Sequence, residues 1–432
     1  MRDTTIHTTI NAPLSKPLFI RYGWLGFTLA MLGIPLYVYL PTYYAQQSAL
    51  SFTAVGAALL LARSLDVITD PLIGWWSDRI HSKVSRSLQI ALSSLVLAVG
   101  VYNLWLPNLD NLSTAELFIW SFITYLAWTW MSIPYLALAA EISTQAHAKT
   151  QLSGAREGFA IVGVVTVLLL PILSGLNSQS VEFYKLLFIV FAITLVSAVL
   201  ALIKLPTLDI QPTNSIAPWK LLQTLKQKHP HTFSIMPSYF LNNFANALPA
   251  TLFLVFVSDY LQLEEQTGLF LMTYFLAGLV ALPFWIKLSK HIGKYKAWKL
   301  SMLLASISFI GVFFLSTGDS TGFLIISILT GLSLGVDVAM PASIQSDLTQ
   351  EVAKHEMQAT GLLFGLWGML TKLALALAVG VAFPILDWSA SLNQQSTALL
   401  WLYAGLPIIL KLFAWGLLTK MQLYKNSDTE HH

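Results

Sequence analysis

The chain has 432 residues, 56% of them hydrophobic and 10% charged, with no cysteine and a formal net charge of +3. A soluble domain carries about 25% charged residues, so charge here is too sparse to solvate a globular surface of this length. The missing cysteine excludes disulfides, thiolate metal sites and thiol nucleophiles, and the basic residues lie in short loops rather than in a stripe that nucleic acid would need.

Residues 1–17 are polar and read as a tail. The apolar run after them is too long and too aromatic for a cleaved signal, so no signal peptide is expected. Apolar runs then recur at lengths near the roughly 20 residues that cross a bilayer as a helix. They predict helices at about 18–40, 51–77, 87–106, 116–141, 155–176, 184–205, 232–258, 267–288, 298–316, 320–345, 357–386 and 396–420. The expected fold is an all-α membrane protein of about twelve transmembrane helices in two halves of about six each. The halves are residues 18–205 and 232–420. A linker at 206–231, rich in Pro, Lys and His, joins them, and a tail at 421–432 follows. Within the linker, Trp219 to Lys228 suits a short amphipathic helix.

Loops after even-numbered segments carry Arg79, Arg86, Lys149, Lys220, Lys228, Lys287, Lys299 and Lys354, whereas the odd-numbered loops 41–50, 107–115, 259–266 and 387–396 hold no Lys or Arg. By the positive-inside rule both termini are cytoplasmic, and the expected location is the plasma membrane, the inner membrane in a bacterium. Tyr37, Tyr39, Tyr43, Tyr44, Trp75 and Trp76 fall where an interfacial aromatic belt would lie. Pro35, Pro134, Pro249 and Pro283 inside apolar runs predict kinks.

The second segment holds Arg63, Asp66 and Asp70 inside LLLARSLDVITDPLIGWW. At about 100° per residue, the i, i+3, i+7 spacing keeps all three on one face. Two carboxylates one turn apart repel unless a cation or proton sits between them, which makes Asp66 and Asp70 candidate coupling residues for Na⁺ or H⁺. The alternative is an Arg63–Asp66 ion pair with Asp70 packed against polar groups. Lys372, a lone ammonium in LFGLWGMLTKLALALAVGVAF, needs an anionic partner, and the two aspartates are the natural candidates; the alternative is a lysine that snorkels to the interface. Asp78, Arg79, Glu141 and Arg156 flank segments two, four and five and are expected to form ion pairs of a cytoplasmic gate; the alternative is exposed charges worth little each. Asn242, Asn243 and Asn246 in segment seven suit either a cavity or bonding between helices. No P-loop, HExxH motif or nucleophile elbow is present, and the histidines lie mostly in loops, so no enzyme is expected.

The segment ARSLDVITDPLIGWWSDR resembles the signature of the glycoside-pentoside-hexuronide:cation symporters, the melibiose carrier's group within the major facilitator superfamily. IPYLALAAEI, the stretch Gln151 to Arg156, and Lys372 add to the likeness. The resemblance implies that Asp66 and Asp70 bind the coupling Na⁺, Li⁺ or H⁺, with Lys372 nearby and Arg63 and Arg156 at basic positions of the family. It also marks departures. Where the melibiose carrier holds sugar hydroxyls with acids and stacks an aromatic, this chain has Ala30, Ser132 and Leu136. Tyr37, Trp128, Trp130, Ser132, Asn242, Asn246 and Trp367 are left to build a site of different shape.

The expected activity is cation-coupled symport of a small organic solute by alternating access, with import favoured, a substrate other than a melibiose-like galactoside, no cofactor beyond Na⁺ or H⁺, and no transition metal. The bilayer is the expected surrounding, nucleic acid is not a partner, and the chain is expected to act as a monomer. The alternatives are a proton-driven exporter, a carrier of a lysophospholipid or siderophore-like molecule, and a non-transporting membrane receptor.

Overall fold

In the computed structural model every described element is helical. The described residues are 16–40, 43–44, 48, 50, 52–81, 83–108, 112–143, 145–177, 180–203, 205, 218–354 and 359–430. The long helices are α1 (Lys16–Ala30), α2 (Phe52–His81), α3 (Arg86–Trp105), α4 (Thr114–Ile142), α5 (Ala146–Ser174) and α6 (Val181–Ile203). They continue with α7 (Met236–Val255), α8 (Thr267–Ile292), α9 (Lys294–Ile310), α10 (Ser320–Lys354), α11 (Thr360–Ser391) and α12 (Leu406–Glu430). A short helix, Pro218–Lys228, lies in the linker region, with Leu225 buried and Trp219 exposed.

Among the described residues, 10 helical stretches are long and apolar enough to cross a membrane, the first Arg86–Trp105 and the last Gln395–Met421. The stretches that hold α1 and α2 are not among them. α1 ends at Ala30, where a turn at Met31 and Leu32 precedes the π-helical piece Pro35–Tyr39. α2 is 30 residues long and carries Arg63, Asp66 and Asp70 along its middle. Pro134, Pro249 and Pro283 sit inside continuous helices, whereas Pro35 opens the π-helical piece.

Ends are set by ordinary chemistry. The Ser85 hydroxyl accepts from Leu88 N–H at the start of α3, and the Ser113 hydroxyl accepts from Glu116 N–H at the start of α4. Gly175, at φ 68°, closes α5 in the left-handed region that favours glycine.

The chain divides into two compact units, one of residues up to Leu221 with Gln345–Gly368, the other of Leu222–Ile344 with Met369 onward. In the first, α2 and α3 both pack on α4, and α1 packs on α5. Its core is aromatic, with Trp105, Tyr184 and Phe191 fully buried. Tyr22 and Tyr135 clamp α1 to α4, the hydroxyl of each donating to the other's backbone carbonyl at 3.2 and 2.7 Å. In the second unit α7 and α9 pack on α12, and Phe256 stacks on Tyr403 with ring centroids 4.0 Å apart. Both units turn apolar side chains outward: Leu173 is 79% exposed in the first and Phe314 79% in the second, while Asp66 and Asp70 in the first and Asp337 in the second lie inside. That inversion suits a hydrocarbon solvent.

Candidate functional site

α2 and α4 bring the first unit's acids together. Asp66 and Asp70 lie one turn apart on α2, 4% and 2% exposed. Facing them from α4 is Thr129, whose Oγ1 is 2.9 Å from Asp66 Oδ1 and 3.0 Å from Asp70 Oδ1. A hydroxyl has one hydrogen and donates to one of these oxygens at a time. The hydroxyl therefore bonds one carboxylate and stands at hydrogen-bond distance from the other. Sequence reasoning did not find Thr129, because a threonine in an apolar helix carries no mark of its own.

α11 closes over this pair within the same unit. A Cβ on Gly368 would stand 2.6 Å from Asp70 Oδ2, and one on Gly365 would collide with the Asp70 backbone carbonyl. Nearer its start, α11 meets α2 glycine to glycine, at Gly361 and Gly74. Phe364 adds an apolar contact to Ile133 and Ala137, with Ile73 and Leu136 packed against them. Leu136 thus serves a hydrophobic cluster where the resemblance implied a sugar-stacking ring.

The end of α2 holds the charges expected at a gate, but with different partners. Arg86, at the start of α3, joins Asp78 at 2.5 Å and Glu141 at 3.0 Å, all three buried. Its other nitrogen donates to Ser77 Oγ at 2.6 Å, and His81 lies 3.6 Å from Glu141. Asp78 also accepts from the N–H groups of Gly361 and Leu362 at 2.7 and 2.9 Å, so it caps the N-terminus of α11. Arg79 follows Asp78 by one residue, about 100° around the helix, and lies over the Trp75 ring instead. Arg156 pairs with its neighbour Glu157. Beside this network Lys149 reaches Asp347 at 2.8 Å, and Gln350 donates to the carbonyls of Ala140 and Ser143.

Of the remaining candidates in the first unit, Arg63, Trp128 and Ser132 are half-buried and Trp367 is buried. The side chain of Tyr37 lies outside the described residues.

In the second unit Lys372 is half-buried on α11. Asn242 is 1% exposed and its Oδ1 accepts from Lys411 at 3.0 Å, while Asn246 donates to Asp337 at 3.4 Å and Asn243 to the Tyr239 carbonyl. Asn242 and Asn246 thus meet the same Lys411–Asp337 pair across helices, whereas Asn243 bonds back to its own helix. Lys411 and Asp337 themselves pair at 2.8 Å. Both are lone charges within apolar runs, the same signal that singled out Lys372.

The model of the MFS/sugar transport protein family matches residues 21–425. The chain belongs to this family. Among relatives, it is 23% identical to the uncharacterized symporter YnaJ of Bacillus subtilis, over 88% of this chain and 84% of that one. It is 21% identical to the glucuronide carrier protein homolog of Escherichia coli, over 83% and 80%. A shorter match, 28% identical, covers 42% of this chain and only 35% of the uncharacterized symporter sll1374 of Synechocystis. In fold it is similar to a bacterial homologue of the iron transporter ferroportin in its outward-facing state, at 15% identity and a TM-score of 0.71, over 94% of this chain and 99% of that one. The family, the relatives and the apolar helices make this a multi-pass transporter of the major facilitator superfamily and not an enzyme.

Proposed function

We propose that this transporter is a cation-coupled symporter that imports a sugar-type organic solute by alternating access, with Na⁺ or H⁺ held at Asp66 and Asp70. The observation that carries the proposal is the Thr129 hydroxyl, within hydrogen-bond distance of two carboxylates buried to 4% and 2% exposure. Two such acids around one hydroxyl hydrogen suit a hard monovalent cation or a proton, and occupancy changes the charge of the site. Coupling requires that the occupied form bind solute more tightly, and by linkage solute then tightens the cation by the same factor.

The solute is assigned to the glycoside class because the family is one of sugar transport and a relative is named as a glucuronide carrier. Ala30, Ser132 and Leu136 offer neither carboxylates for sugar hydroxyls nor a stacking ring, so a melibiose-like galactoside is not the substrate of this reading. Trp128, Ser132, Trp367 and Tyr37 remain the solute-site candidates, and Lys372 and Arg63 remain the candidate charge partners. α1 with Pro35–Tyr39, and α2, complete about twelve spans. Both termini face the cytoplasm of a plasma-membrane monomer, and the Asp78–Arg86–Glu141 network with the α11 cap forms the inner gate.

The test is uptake into proteoliposomes under an imposed Na⁺ or H⁺ gradient, across a panel of glycosides. Asp70→Asn is expected to abolish gradient-driven accumulation while leaving the protein folded and solute exchange down its gradient measurable. Undiminished cation-driven accumulation in that variant would refute the assignment.

A further inference from the structure

The second unit holds a buried charge cluster that the coupling scheme does not use. Lys411 on α12 is 1% exposed, and its Nζ lies 2.8 Å from Asp337 Oδ2 on α10 and 3.0 Å from Asn242 Oδ1 on α7. The other Asp337 oxygen accepts from Ser301 on α9 at 2.7 Å, and Ser301 is fully buried. Asn246, one turn after Asn242, stands 3.4 Å from Asp337 Oδ2 through its amide. Three helices thus supply the oxygens, a carboxylate oxygen and an amide oxygen on the ammonium and a hydroxyl that holds the carboxylate from behind, and the fourth supplies the ammonium.

That donor set is all oxygen, carries one negative charge and is closed to solvent, which is the chemistry of a site for a hard monovalent cation. Lys411 supplies the cation covalently. We infer that the Asp337–Asn242–Ser301 cluster is a second monovalent-cation site whose resident cation is the Lys411 ammonium, and that removing this ammonium opens the site to Na⁺. The resident lysine keeps the site neutral and closed, so free cation is taken up only in the first unit.

A buried carboxylate stripped of its partner is strongly destabilised. In Lys411→Met that strain has a remedy if the inference is right, because Na⁺ can take the vacated place. Equilibrium binding of radioactive Na⁺ to purified protein tests this, with the first unit's site silenced by Asp70→Asn. Asp70→Asn alone is expected to bind no Na⁺; binding that persists there would count against the proposed coupling site and leaves the second-site question to the comparison with Lys411→Met. Asp70→Asn/Lys411→Met is expected to gain saturable binding of about one ion per protein and a melting temperature that rises in NaCl relative to choline chloride. Adding Asp337→Asn should remove both effects.

No gain of Na⁺ binding on Lys411→Met overturns the inference. So does a Lys411→Met protein that fails to fold in NaCl while Asp337→Asn/Lys411→Met folds, since Na⁺ then does not replace the ammonium. Failure of both variants in NaCl assigns the cluster to packing alone and overturns it equally.

Discussion

Thr129→Val is the most direct probe of the proposed cation site. Valine is nearly isosteric with threonine, so α4 keeps its packing on α2, and no charge changes. What disappears is the oxygen that lies 2.9 Å from Asp66 and 3.0 Å from Asp70. The hydroxyl hydrogen is donated to one carboxylate with or without the cation, so that contribution largely cancels. The lone pair turned to the cation does not cancel. A hydrogen bond or ligand contact involving a charged group contributes about 1.5–3 kcal/mol, and about 1.4 kcal/mol is tenfold in affinity. The half-saturating Na⁺ concentration, or the proton concentration if H⁺ couples, should therefore rise about tenfold to a hundredfold. Cation-dependent thermal shift gives the affinity directly, and uptake kinetics give it independently. Unchanged or tighter cation affinity in a folded Thr129→Val protein would show that the hydroxyl is not a ligand.

Other variants probe the framework around the site. Gly368→Val puts side-chain atoms where Asp70 Oδ2 already stands, a Cβ alone being 2.6 Å away; cation affinity should fall along with transport, read by the same thermal shift. Arg86→Met leaves Asp78 and Glu141 buried without their shared guanidinium, and breaking a buried pair from one side costs about 3–5 kcal/mol, so the melting temperature should drop clearly. The triple change Asp78→Asn, Arg86→Met, Glu141→Gln should drop it less than Arg86→Met alone. Asp70→Asn and Asp78→Asn should be non-additive in solute exchange rate, with a coupling above about 0.5 kcal/mol in a double-mutant cycle; strict additivity would separate the two ends of α2.

The sequence exposed this architecture unevenly, for physical reasons. Long apolar runs separated by basic loops announce membrane helices, and Asp66 and Asp70 stand out because an ionised group in such a run needs a purpose. Thr129 does not stand out. A hydroxyl is ordinary in an apolar helix, and its acids lie 63 and 59 positions away. The gate shows a subtler difference. Asp78 and Glu141 were legible as charges flanking their helices, grouped with Arg79 and Arg156 as their bases. Helical geometry turns Arg79 away onto Trp75, and Arg156 meets Glu157 beside it, leaving the return of α3 to present Arg86. Asp337 and Lys411 were each visible as isolated charges, but a pair becomes a site only when folding supplies Asn242 and Ser301 around it.

The geometry of the first unit also bears on how an ion bound at one level of α2 reaches a gate at another. Asp70 and Asp78 are eight residues apart on a single helix, about 12 Å along its axis at 1.5 Å per residue. Between those levels α11 lies against α2 without intervening side chains, at Gly361 with Gly74 and at Gly365 with the Asp70 carbonyl. At the upper level Gly368 faces the Asp70 carboxylate, and at the lower level Asp78 caps the first turn of α11. A contact so tight has little compliance, because backbone against backbone cannot yield by rotamer change. The Asp70 carboxylate and the cap at Asp78 are thus two ends of one rigid helix pair. On the proposed function, an ion that fixes Asp70 favours the docked α11 and the capped end. The proposed gate would then respond to the proposed ion through packing, with no need for a chain of polar groups between them.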